Sequence, residues 1–228
     1  ADPRLVPTAR KLDEVGFEEM LELSSYGAKM NPRSIELGLF YDVPILVASS
    51  FSDATGTLIH KGADMNPKVG EIRNKVRGIA TQTDVAKVTV LGVIDRPGIA
   101  VSLFEPLADA DISVDIIVQN ASVDGATDLT FTVERTDLSR TLEVVGPVAE
   151  SLGSRGVVSA DNLANVSVVG TGMQDAPGYA ARMFRALADH GINIEMITTS
   201  EIRITCIIDE SRVPEAAHAL HATFELDE

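Results

Sequence analysis

The chain has 228 residues, 45% of them hydrophobic, and a formal net charge of −15. That length suits one large domain or two to three small ones, and the apolar share is ample for packed cores. The acidic balance speaks against nucleic acid and anionic membranes as partners, no apolar run approaches the roughly 20 residues a bilayer needs, and no signal peptide is expected. The single Cys206 excludes an internal disulfide, so a cytoplasmic protein is expected.

Residues 1–60 differ from the rest. Asp2-Pro3-Arg4 and Val6-Pro7 read as an extended loop, because proline disfavours helix in the residue before it. Phe17–Leu23 predicts a short helix with glutamates in its first turn. Pro32–Gly38 predicts another, with Asn31 as N-cap and proline at the first helical position. Pro44–Ser50 reads as a buried strand. Two helices and about one strand cannot bury their own apolar surface, so this piece is expected to pack on something else. The polar stretch 61–78, with glycine, asparagine and proline, reads as a linker. Gly78–Thr83 is a short strand candidate after it.

The remainder is a repeat, and a repeat decides the fold. Residues 87–120 read KVTVLGVIDRPGIAVSLFEPLADADISVDIIVQN, and residues 165–199 read NVSVVGTGMQDAPGYAARMFRALADHGINIEMITT. Each copy has an apolar strand, a turn holding Asp-x-Pro-Gly, an amphipathic helix ending Leu-Ala-Asp, and a second strand. In the first copy the elements are Lys87–Val93, helix Ile99–Ala110, Ser113–Gln119, Asp128–Glu134 and helix Leu138–Leu152. In the second they are Val166–Gly170, helix Tyr179–Asp189, Asn193–Thr199, Arg203–Asp209 and helix Val213–Phe224. The order βαββαβ implies antiparallel sheets with helices on one face, an α+β class of ferredoxin-like modules. The sixth strand is weak in both copies. Gly156–Ser159 is the candidate in the first. The second ends on a helix, and Ile79–Thr81 is the candidate to complete it.

Chemistry concentrates at the repeated turn. Asp95 or Asp175 can cap the following helix, Pro97 or Pro177 presets a helical φ, and Gly98 or Gly178 lets backbone approach a ligand. A well-capped helix and nothing more is the bland reading. A helix start also offers bare amides to a carboxylate. Across the turn lie Gln119-Asn120 in one copy and Thr198-Thr199-Ser200 in the other, fit for the polar remainder of a small amino acid. His218 and His221 are one turn apart and read as surface residues, Cys206 as a buried thiol. No metal site and no catalytic centre is expected from motifs.

Taken together, these residues resemble the C-terminal part of aspartate kinase, which phosphorylates the β-carboxylate of aspartate with ATP. ADPRLVPTARKL, EEMLELSSYGAK, PRSIEL and VPILVASSFSDATGTLI resemble the end of its kinase domain. VTVLGVIDRPG, IIVQN, TDLTFTV and ITTSEIRIT resemble its paired ACT regulatory modules. The resemblance implies a kinase-domain fragment at 1–60, the linker at 61–78, and ACT domains at 79–160 and 161–228. Some bacteria make the regulatory part as a separate smaller subunit, usually without the kinase-like segment.

The resemblance assigns nucleotide contacts to Arg4 and Lys29. The family's Lys-Phe-Gly-Gly aspartate-binding motif is not found, so this chain is not expected to turn over alone, and no cofactor is expected in it. ATP and Mg²⁺ are substrates of the complete enzyme. Effector contacts fall on Asp95, Pro97, Gly98, Ile99, Ala100, Gln119, Asn120, Ser122, Asp128 and Thr130, and in the second copy on Met173, Asp175, Pro177, Gly178, Asn193, Ile194 and Ser200. The implied effectors are lysine, threonine or both, bound where ACT modules pair in a homodimer. The implied protein partner is a catalytic aspartate kinase subunit or lobe. A stand-alone amino-acid sensor, or a dimerisation module that binds nothing, remains the alternative. The chain starts at Ala1, which suggests processing or a piece of something longer.

Overall fold

Helix stops and starts at the head of the chain follow the residues that punctuate it. The computed structural model describes residues 1–61, 76–120, 125–173 and 177–227. β1 (Glu14–Val15) leads into α1 (Phe17–Ser25), and α2 (Pro32–Tyr41) follows. Asn31 caps α2 as expected, accepting the Arg33 N–H at 2.9 Å, with Pro32 in the first turn. β2 (Ile45–Val47) and β3 (Thr57–Ile59) complete a three-stranded sheet of order β1-β3-β2, parallel between β1 and β3 and antiparallel between β2 and β3. Val15, Phe17, Ile35 and Ile59 form its small core.

The expected buried strand Pro44–Ser50 is corrected here. Only Ile45–Val47 is strand, and Leu46 is 64% exposed. It lies at the sheet's edge, where half of its hydrogen-bonding groups have no neighbour. Strands β1 and β3, of two and three residues, carried too short a pattern to register in the sequence.

Two compact units follow from the chain's contacts: residues 83–164, and residues 1–82 together with 165–228. The first repeat contains β4 (Gly78–Ile94), α3 (Ile99–Asp109), β5 (Ile117–Gln119), β6 (Ala126–Glu134), α4 (Leu138–Ser151) and β7 (Gly156–Val169). β4 and β7 each run on from one unit into the other.

Within 83–164 the strand order is β5-β6-β4-β7. β6 is antiparallel to β4, with Val88 opposite Phe131 and Val90 opposite Leu129, and antiparallel to β5, with Gln119 opposite Leu129. Alternation along the strands turns Val88, Val90, Leu129 and Phe131 to one face. There they meet Leu103 and Leu107, one turn apart on α3, and Val145 and Ala149 on α4. Phe104 packs edge-on to Phe131 with centroids 5.3 Å apart. Only Ile117–Gln119 of the expected strand Ser113–Gln119 pairs as strand.

The second repeat supplies α5 (Tyr179–Asp189), β8 (Met196–Thr199), β9 (Arg203–Asp209) and α6 (Val213–Thr223). In its unit the order is β4-β7-β9-β8, where β4 contributes its first residues, Gly78–Gln82. The Arg77 N–H donates to the Val169 carbonyl at 2.7 Å, and Asn165 donates to Gln82 at 3.1 Å. The candidate Ile79–Thr81 therefore does serve the second repeat, and Gly156–Ser159 lies within β7 beside the first. β9 is buried along Arg203–Ile208, an uninterrupted run that marks a strand covered on both faces. Among the described residues no helix is long and apolar enough to cross a membrane.

Candidate functional sites

Both helix starts after the repeated turn are built by glycine. Gly98 has φ 91° and Gly178 has φ 102°, left-handed values that a side chain resists. The expected aspartate cap does not form in the first copy. Gly98 itself is the N-cap, no side chain bonds the first amides of α3, and the Asp95 N–H donates to the Gly125 carbonyl at 3.0 Å. The reason is the positive φ at Gly98, which turns the chain between Asp95 and the helix. Asp175 and Ser122 lie outside the described residues. Among the described residues, a Cβ placed on Gly98 or Gly178 would meet nothing within 4 Å.

The remaining expected contacts of the first repeat divide. Asp95, Pro97, Gly98, Ala100, Gln119 and Asn120 are exposed, while Ile99 is buried in the module's core and offers only its backbone. Gln119 pairs with Leu129 and so shares the helix-covered face. Asp128 and Thr130 point to the other face. There Thr130 Oγ1 sits 2.9 Å from Thr89 Oγ1, and Asp128 Oδ1 accepts the Gly92 N–H at 2.7 Å with Arg155 at 3.6 Å.

In the second repeat Pro177, Gly178 and Ser200 lie at one end of the sheet, and Met173 is buried at the end of a short turn, Thr171–Met173. Asn193 and Ile194 precede β8, at the opposite end, and Asn193 donates to Glu195 at 3.1 Å.

A cavity of about 540 Å³ opens in the unit formed by 1–82 and 165–228, and its wall is cationic. Among the described residues Arg4, Arg10, Lys29 and Arg77 line it, against one acid, Asp2. The two residues assigned to nucleotide thus share one pocket. Arg4 Nε donates to both Asp2 oxygens at 3.1 Å, and this pairing pulls the Asp2 carboxyl down to about 2.

Lys29 reaches the wall because α1 stops just before it. The Ala28 N–H bonds the Leu23 carbonyl at 2.8 Å, and Gly27 takes φ 123°, a helix stop that only glycine fits well. Gly27 also lies against the far wall: a Cβ there would sit 2.0 Å from the Thr81 carbonyl oxygen.

α1 also carries two carboxylates three residues apart that leave the helix for the second repeat. Glu19 is fully buried. One oxygen accepts from the Thr171 N–H at 3.0 Å and Oγ1 at 2.9 Å, and the other faces Arg77 Nε at 3.3 Å. Glu22 accepts from Ser200 Oγ at 3.2 Å and pairs with Arg203 at 3.2 Å, whose guanidinium lies 3.9 Å from the Tyr26 ring centroid.

Comparison with known proteins bears on the family. The ACT domain family matches residues 88–146 and 166–224, one span per repeat. Aspartokinase of Pseudomonas aeruginosa is 44% identical over 227 residues, 99% of this chain and 54% of its own length. The regulatory subunit of aspartate kinase from Thermus thermophilus, solved ligand-free, is 37% identical with a TM-score of 0.62, covering 66% of this chain and 99% of that one. Aspartate kinase from Synechocystis is 38% identical with a TM-score of 0.68, covering 98% of this chain and 40% of its own.

The chain belongs to the aspartate kinase family. It corresponds to the C-terminal regulatory region, with two ACT domains, and spans about half the length of the curated relatives it matches. The α+β class with tandem ferredoxin-like modules stands.

The family's motifs led to Arg4 and Lys29 but not to Arg10 or Arg77, which share their cavity. Glu19 was read as a first-turn glutamate favouring the helix dipole. Its partners are 58 and 152 residues away, and only its place within the apolar run Phe17–Leu23 hinted at burial. His221, expected on the surface, is buried and pairs with Asp227 at 2.7 Å, because α6 turns that side inward along with Ala217 and Leu220.

Proposed function

We propose that the chain is the feedback-regulatory region of an aspartate kinase, the enzyme that moves the γ-phosphoryl group of ATP to the β-carboxylate of aspartate. Lysine, threonine or both bind at the ACT turns. The effector's carboxylate meets the bare amides after Gly98 or Gly178, and the strand-end side chains Gln119, Asn120 and Ser200 hold its polar remainder. The observation that carries this is the pair of glycine-led helix starts, where among the described residues no side chain caps α3 and nothing would meet a Cβ on either glycine. Arg4 and Lys29 meet nucleotide phosphates in the cationic cavity, with a catalytic lobe supplying the aspartate site and Mg²⁺ arriving with ATP.

Pairing of ACT modules in a homodimer fits the sheets. β5 and β8 are edge strands in their units, with Ile117 52% and Ile197 44% exposed. Effector and substrate coupling is then reciprocal: whatever favours the active arrangement weakens the effector by the same factor.

A thermal-shift titration with lysine, threonine, both together, and methionine tests the reading. A ligand at about 100 times its dissociation constant adds roughly 2.7 kcal/mol. A shift with lysine or threonine is expected, and no shift with any of the four would overturn effector binding by this chain.

A further inference from the structure

The buried carboxylate of Glu19 stands between the two proposed sites. On one side it holds Thr171 twice, through the N–H at 3.0 Å and Oγ1 at 2.9 Å. Thr171 opens the short turn Thr171–Met173 that leads from β7 toward Gly178. On the other side it faces Arg77 Nε at 3.3 Å, and Arg77 lines the cationic cavity. Three residues on, Glu22 holds Ser200 and Arg203 at the neighbouring strand end. A helix of nine residues thus grips the second repeat's turn with one side chain and a strand end with another, and is followed by Gly27-Ala28-Lys29 at the cavity wall.

We infer that Glu19 is a positioning residue that relays the state of the second ACT turn to Arg77 and the cavity. The inference rests on the effector reading above. Its physical basis is that a fully buried carboxylate does not tolerate the loss of partners. A ligand seated before Gly178 that draws Thr171 away strips Glu19 of two hydrogen bonds. The carboxylate then turns wholly onto Arg77 and pulls the guanidinium off the cavity wall. With Thr171 in place, Glu19 is shared and Arg77 stays at the wall. These are two discrete arrangements of one packed network, the kind of element that carries coupling between sites. The second carboxylate makes the grip two-point, so α1 answers as a rigid rod and Lys29 follows it.

Hydrogen exchange with lysine and threonine on the purified chain tests this, read alongside calorimetric affinity. Effector binding should change exchange in peptides covering 26–30 and 76–78 by about fivefold or more, a coupling of the usual size. In Glu19→Gln that response should vanish while the effector still binds, no more weakly than to wild type. Arg77→Met, at a side chain one-third exposed, should lose the response likewise, and Arg77→Lys should restore part of it. Arg77→Met decides the matter if Glu19→Gln fails to fold. A response that persists in both Glu19→Gln and Arg77→Met, or one absent from wild type despite bound effector, overturns the relay. No binding at all by wild type overturns the effector reading instead, and the relay with it.

Discussion

The two repeats have the same order of elements and different connections. Residues 83–164 hold all six elements of a ferredoxin-like module. The second repeat ends on α6 and takes its last strand from Gly78–Gln82, in the unit that also contains residues 1–61. Its turn and strand end are gripped by Glu19 and Glu22, whereas in the first unit Asp128 is held by Gly92 and Arg155 of the same module. One repeated motif therefore serves a self-contained module and a module that shares its unit with the N-terminal residues. The difference lies in what surrounds the repeat.

Glycine substitutions should separate the units most sharply. Gly27→Ala forces a Cβ to 2.0 Å from a backbone carbonyl at φ 123°, and neither backbone can step aside cheaply. A loss of about 4 kcal/mol is expected. Gly92→Ala in the first unit also has a positive φ, 61°, but its Cβ meets the side chain of Arg155, which is 73% exposed and can swing away. About 1 kcal/mol is expected there. Urea denaturation of both variants checks this, and equal losses would mean that the close approach at Gly27 is not rigid.

Matched core truncations come next. Leu107 and Leu187 are equivalent residues of the repeat, both fully buried. Leu107→Ala and Leu187→Ala should each cost about 3 kcal/mol. Exchange should place each loss in its own unit, with α1 amides loosened only by Leu187→Ala. Loosening of α1 by Leu107→Ala would contradict the division of the chain.

Much of this was legible beforehand because the repeat was. Apolar spacing located α3 through α6, and a chain ending on a helix signalled that the second sheet needed a strand from elsewhere. Punctuation by Asn31-Pro32 marked the start of α2. What stayed hidden depends on distant partners or on sub-threshold length. Strands of two or three residues, such as Glu14–Val15 and Thr57–Ile59, have no readable period. The Asp-x-Pro-Gly turn invited an aspartate cap, but the positive φ at Gly98 made glycine the cap. Glu19 illustrates the limit best. A glutamate in the first turn of a helix is ordinary, and its burial follows from Thr171 and Arg77, which no local pattern connects to it.

The smallest expected effect is a pH dependence confined to the second repeat. Cys206 takes the place that Phe131 holds in the first, each opposite an isoleucine of the preceding strand, Ile197 and Ile117, and both are fully buried. Burial pushes the Cys206 thiol up to about 12. An unfolded chain ionises this group near 8.5, so between about pH 8.5 and 12 the unfolded state sheds a proton that the folded state keeps. Stability contributed by the neutral thiol is therefore complete below about pH 8.5 and declines as pH rises. At pH 9 the loss should be under about 1 kcal/mol. Cys206→Val removes the titration, so the difference in unfolding free energy between variant and wild type should drift in the variant's favour from pH 8 to pH 10. A difference independent of pH would mean that the thiol reaches solvent, and rapid alkylation of the folded chain at pH 8 would say the same by a second route.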